Sequence, residues 1–123
     1  MQNQAESLSK ENLLVQTSCP DRKSAISLAQ RIIREKVAAC VNVLPEVTSV
    51  YEWKGEVKQD SEILLLIKTS KSRYLALQAV ICESHPYELP EVIAVPITEG
   101  LPEFLAWIDS SSTATPTKIT SEV

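Results

Sequence analysis

Glycine is almost missing from this chain: Gly55 and Gly100 are the two among 123 residues. A glycine-rich loop at a helix start, which lets backbone N–H groups close around a phosphate, has no sequence to be built from. Cysteine is sparse too. Cys19, Cys40 and Cys82 are odd in number and widely spaced, with no Cys-x-x-Cys pair for zinc or redox work. They read as reduced thiols in a reducing compartment. Basic residues are outnumbered, 12 Lys and Arg against 16 Asp and Glu, for a formal charge of -4, and they form no run. Nucleic acid and anionic membrane are therefore disfavoured as partners. Apolar runs such as Ile63 to Ile67 are far too short to cross a bilayer, and the opening "MQNQAESLSK" is too polar for a signal peptide. A soluble cytoplasmic protein is expected.

What is present divides into a patterned middle and two polar ends. Residues 1–11 and the Ser/Thr-rich tail 111–123 are expected to be flexible, leaving one domain over 12–110. "NLLVQTS" reads as a buried strand, and Ala25, Leu28, Ala29, Ile32 and Ile33 recur at helical spacing behind Pro20 and Asp21, up to Lys36. "AACVNVL" and "VTSVYEW" flank Pro45, which predicts one long strand bulged at the proline. Gly55 then marks a hairpin into "SEILLLIKT". Residues 71–84 predict a helix with Leu75, Ala79 and Cys82 on one face, "EVIAVPI" a last strand, and "LPEFLAWI" a short terminal helix. The order βαββαβ plus a small helix is an α+β, ferredoxin-like sandwich.

Both alternating faces of "ILLLI" are apolar, and "VIAVPI" repeats the pattern, yet two helices cover one face of such a sheet. A homo-oligomer built on the open sheet face and the long hairpin is expected. Function must come from the site, because this fold serves many chemistries. An RNA-binding version would carry aromatics on its central strands, which "SEILLLIKT" lacks, and a heavy-metal chaperone would carry Cys-x-x-Cys where "TSCPDR" has one thiol. No third group orients a Cys/His nucleophile pair, so catalysis is not expected.

The single histidine, His85, lies in "ESHPYELPEV" between Pro86, Pro90 and several glutamates. Its imidazole suits copper, zinc or cobalt, with a carboxylate such as Glu83, Glu88 or Glu91 or a thiolate as second ligand. The simpler reading is that a histidine ending a helix is favoured there by the helix dipole, and the prolines make a stiff connector. Cys40 and Cys82 sit among apolar residues, where a thiol acts as a small hydrophobe. Cys19, before a helix N-terminus, is the best placed for an activated thiol, although an ordinary loop residue reads as well. Tyr51 and Trp53 could stack on a ligand or anchor a neighbouring subunit, while Glu62 and Lys68 are either ligand contacts or solvated strand-end charges.

Taken together, "AACVNVLPEVTSVYEWKGEV", "DSEILLLIKT" and "HPYELPEVIAVPITEGLPEFLAWI", behind "PDRKSAISLAQRIIREK", resemble the CutA divalent-ion tolerance family over about residues 12–110. The resemblance implies a cytoplasmic homotrimer, similar in build to the PII signalling proteins and needing no cofactor to fold. It also implies a part in tolerance to copper and other divalent cations. Carried over, it marks His85, Cys40 and Glu91 as metal-site candidates, and Tyr51, Trp53, Glu62, Lys68 and Tyr87 as cleft or interface residues. Glu46 departs from the family by standing where a glycine after the proline is common. The alternative implied by the PII likeness is a signalling or scaffold trimer that takes a small molecule or a partner protein between subunits.

Overall fold

A computed structural model describes residues 11–113. In chain order it contains β1 (Asn12–Cys19), α1 (Arg22–Arg34), β2 (Cys40–Trp53), β3 (Glu56–Ser70), a 3-10 turn (Lys71–Arg73), α2 (Tyr74–Ser84), β4 (Ile93–Ile97) and α3 (Pro102–Ser111). The four strands form one antiparallel sheet in the order β2-β3-β1-β4. This is the expected α+β architecture. The segments expected to be flexible fall largely on residues 1–10 and 114–123, outside the described residues.

Local chemistry accounts for several of these boundaries. Asp21 caps α1 by accepting the Ser24 N–H at 2.7 Å, so the helix opens one residue after the cap and two after Pro20. Lys36, with φ 61, lets the chain leave α1 through a left-handed residue. The register of β2 against β3 shifts between Val43 and Glu46, which places the bulge at Leu44–Pro45. Lys54 (φ 52) and Gly55 (φ 84) then make the two-residue turn, both left-handed as a tight hairpin requires. α3 runs three residues past Ile108, because Ser112 packs inward and donates its N–H back to Ile108 at 3.0 Å.

The core lies between the helices and one sheet face. Val15, Ile63, Leu65 and Ile67 meet Ala25, Leu28, Ala29 and Ile32 of α1 and Leu77, Val80 and Ile81 of α2. Each fully buried aliphatic contributes about 1.5–3 kcal/mol. The face of α2 is a correction. Leu75, Ala79 and Cys82 were expected inside, but Leu75 is 75% exposed and Cys82 is exposed, while Leu77, Val80 and Ile81 are buried. "YLALQAVIC" is apolar nearly all round, so two faces satisfy helical spacing and the sheet selects one.

The opposite sheet face is covered at one end, where α3 buries Ile108 and its Leu105 carbonyl accepts from Asn12 Nδ2 at 3.3 Å. Elsewhere that face is open: Ile93 and Val95 of β4 are each 55% exposed, and Phe104 and Trp107 of α3 remain largely exposed.

Candidate functional site

The β2–β3 hairpin is longer than the sheet it belongs to. β1 ends its pairing with β3 at Cys19↔Ile63, whereas β2 and β3 continue from Val47↔Glu62 to Trp53↔Glu56. The connector from α2 to β4, residues 85–92, passes beside this ribbon. A cleft of about 540 Å³ lies between them. Its walls are aromatic and acidic: Tyr51, Trp53 and Tyr87 on one count, Asp60, Glu62, Glu88 and Glu91 on the other. Ser18, Ser49, Val50 and Leu89 complete the lining, which contains no Lys or Arg.

The pleat explains why these groups converge. Glu62 and Asp60 are two apart on β3 and share the open face with Ser49, the partner of Asp60 across the ribbon, and with Ser18 at the end of β1. Glu62, 8% exposed, is the hub. Its oxygens accept from Ser49 Oγ at 2.6 Å, Tyr87 Oη at 2.9 Å and Ser18 Oγ at 3.3 Å. Tyr51 donates its hydroxyl to Asp60, and Gln16 Nε2 donates to Glu91 at 2.7 Å. A buried carboxylate is tolerable when hydroxyls replace its water, but every one of these donors is neutral. Among the described residues, none of the four carboxylates has a cationic partner. The cleft is a region of uncompensated negative charge.

Burial, hydrogen bonds and these carboxylates together shift the neighbouring groups. Burial, then the hydrogen bond to Glu62, pushes the Tyr87 phenol well above the usual tyrosine range. The Tyr51 phenol is raised as well, first by its bond to Asp60. Behind Ser18, the Cys19 thiol is pushed up to about 11 by burial, with Asp21 and Glu62 adding to the effect. Neither reading offered for Cys19, an ordinary loop residue or an activated thiol, matches its place: it ends β1 inside the core and is held as a neutral thiol.

His85 fastens the connector instead of lining the cleft. Its Nδ1 accepts the Tyr87 N–H at 3.2 Å, which assigns the proton to Nε2, and Nε2 donates to the Ser18 carbonyl. The ring also packs on Tyr87 at 4.6 Å between centroids. A metal on either nitrogen would displace one of these bonds. Cys40 lies elsewhere on the sheet. It pairs with Lys68, whose Nζ is 3.9 Å from the sulfur and donates to Asn42 Oδ1. Lys68 pairs with Leu14, whereas Ser18 pairs with Leu64, a separation of four residues or about 13 Å along the strand. His85, Cys40 and Glu91 are therefore not gathered at one place in this chain. Among the described residues no three His, Cys, Asp or Glu side chains are placed to hold a metal ion.

Tyr51, Trp53, Glu62, Tyr87 and Glu91 do come together in the cleft, and Cys40, Lys68 and His85 lie outside its lining. Sequence reading missed Asp60, Ser49 and Ser18. The two-residue spacing of Asp60 and Glu62 on a strand was the available signal, since such residues share a face.

Comparison with known proteins agrees with this architecture. Residues 13–111 match the family model described as CutA1 divalent ion tolerance protein. The chain is 45% identical to the mouse Protein CutA over 91 residues, covering 74% of this chain and 51% of the mouse protein. It thus spans about half the length of that relative. Against the Divalent-cation tolerance protein CutA of Thermus thermophilus it is 41% identical over 95 residues, covering 77% of this chain and 92% of that one. The crystal structure of CutA1 from Oryza sativa superposes with a TM-score of 0.83 at 40% identity, covering 88% of this chain and 99% of that one. The PII-like protein CutA from Nostoc superposes with a TM-score of 0.78 at 31% identity, covering 84% and 99%. Relatives are described from several compartments, including a chloroplastic protein of Arabidopsis thaliana and a periplasmic one of Archaeoglobus fulgidus. By sequence match and by fold, the chain belongs to the CutA1 divalent ion tolerance family.

Proposed function

We propose that this chain is a cytoplasmic homotrimer that acts in the response to divalent metal ions, copper among them, and that the acidic cleft is where the cation is held. The observation that carries the proposal is the convergence of Asp60, Glu62, Glu88 and Glu91 with no positive side chain in the lining. Oxygen donors of this kind suit a hydrated divalent cation, which keeps part of its water shell and is held by charge. They do not make a compact copper chelate within one subunit, so tight copper capture requires groups from a neighbour or displacement of the bonds at His85. The trimer is supported by the open sheet face and by the overhanging ribbon, where Val50 and Val57 are exposed. A two-stranded ribbon is marginal alone and gains stability by packing on another chain.

A second reading has its own support. At about 540 Å³, with three aromatic side chains in its walls, the cleft has the size and lining of a small-molecule site. This favours a PII-like signalling or scaffold trimer whose cleft takes a small molecule or part of a partner protein. A nucleotide fits poorly, because its phosphates would face four carboxylates without a counter-charge.

Titration of metal-free protein with Cu(II) and Mn(II) against a competing chelator tests the first reading, with stoichiometry per subunit. Saturation near one ion per subunit, weakened at least fivefold by Glu88→Gln with Glu91→Gln, is expected. Binding lost to the chelator, or indifferent to both substitutions, would overturn it.

A further inference from the structure

We infer that the cleft takes an organic cation, an alkylammonium ion with an apolar body, in preference to a neutral molecule of the same shape; this rests on the small-molecule reading of the same cleft. Charge is the first consideration. The lining supplies four carboxylates, and the donors that hold Asp60, Glu62 and Glu91 are hydroxyls and an amide, so the sites are oriented without being neutralised. A cation relieves their mutual repulsion, and an anion would aggravate it.

Shape and surface chemistry are the second consideration. An ion held by direct donors alone needs several of them within about 2.0–2.6 Å, and the cleft leaves far more room than that, enough for an organic body. The described residues hold no such cluster of direct donors, and Asp60 and Glu62 already accept hydrogen bonds from tyrosine hydroxyls. The remaining wall is aromatic, and the negative face of an aromatic ring attracts an ammonium group, most strongly for tryptophan. Trp53 already shows this affinity within the chain. The ammonium of Lys54, presented by the left-handed turn, lies over the Trp53 ring at 5.8 Å from its centroid. Trp53, Tyr51 and Tyr87 offer ring surface for an alkyl body, while Glu88 and Glu91 on the connector offer charge at the rim. Aromatic faces beside carboxylates select an organic cation against a neutral isostere of equal shape, because only the charged ligand gains from both.

Calorimetric and thermal-shift titration of the full chain at constant ionic strength tests this with three probes: choline, its neutral carbon isostere 3,3-dimethyl-1-butanol, and putrescine. Saturable binding of choline or putrescine is expected, with the isostere at least tenfold weaker than choline. Trp53→Leu, and separately Glu88→Gln with Glu91→Gln, should weaken the ammonium ligand at least fivefold while each unliganded variant still unfolds cooperatively. Absence of binding by both amines overturns the inference, as does equal binding of the isostere or indifference to both substitutions. Mn(II) in the same assay separates the outcomes. Mn(II) bound with neither amine competing leaves the metal reading standing and removes this inference. The isostere bound as tightly as choline leaves a small-molecule site and also removes it.

Discussion

Tyr87→Phe probes the link between the connector and the sheet with the loss of one oxygen atom. Tyr87 Oη donates to Glu62 Oε2 at 2.9 Å, and Glu62 is nearly buried. A hydrogen bond to a charged acceptor contributes about 1.5–3 kcal/mol. The lower end applies, because Ser18 and Ser49 still donate to Glu62 and Tyr87 is partly exposed. A loss of about 1.5 kcal/mol is expected, and for a domain of this size that lowers the melting temperature by roughly 6 °C. Measurement by urea and thermal denaturation holds protein concentration fixed, since association of the proposed trimer would contribute to apparent stability. The sign of the pH dependence follows from the raised phenol. An unfolded tyrosine ionises near pH 10, whereas the folded one resists, so the wild-type advantage is constant below about pH 10 and shrinks as pH rises beyond it. A double-mutant cycle with Glu62→Gln should give coupling of about 1 kcal/mol. A change below about 0.5 kcal/mol, or zero coupling in the cycle, would refute the claim that Glu62 anchors the connector.

The thiols should react in a fixed order when native protein is alkylated at pH 8 and followed by mass spectrometry: Cys82 first, Cys19 only on unfolding, because one is exposed and the other is buried with its pKa near 11. Because the folded Cys19 pKa is raised, its contribution is complete below the unfolded thiol value and fades as pH climbs from about 8.5 toward 11, so Cys19→Ala should flatten that part of the stability profile. Leu65→Ala empties a fully buried position facing both helices and should cost about 2–5 kcal/mol in denaturant unfolding; less than 1 kcal/mol would misplace the core. Gly55→Ala should cost about 1 kcal/mol through backbone strain alone, since φ is +84 and nothing lies within 4 Å of an added Cβ. No change would mean that the turn relaxes.

Elements with one strong period were legible from sequence. α1 shows a single apolar stripe, and the long strand announced its bulge through Pro45 between two β-rich runs. α2 was legible as a helix but not in its orientation, because an all-round apolar segment carries no moment to orient it and only the sheet chooses the buried face. The cleft was visible in part. Tyr51 and Trp53 stood out as an aromatic pair fit for a ligand or an interface, Glu62 read as either a ligand contact or a solvated charge, and Tyr87 came from the family resemblance, while Ser18, Ser49 and Asp60 were missed. Their roles depend on cross-strand register, which pairs Ser49 with Asp60 and brings Ser18 within reach of Glu62 from 44 residues away. Cys19 misled because Pro20 and Asp21 mark a helix start correctly, yet the residue before them still belongs to the strand and points into the core.

The most direct test of the acidic cleft as the functional site uses Trp53 as the reporter, with Trp107→Phe removing the other indole. Fluorescence is followed as Mn(II) or choline is added at constant ionic strength, beside sodium acetate and 3,3-dimethyl-1-butanol as anionic and neutral controls. A saturable change in Trp53 emission with a cationic ligand, absent with both controls and lost in Glu88→Gln with Glu91→Gln, is the expected result. Emission that ignores both cations, or responds equally to the neutral control, would contradict a cleft built to take cations.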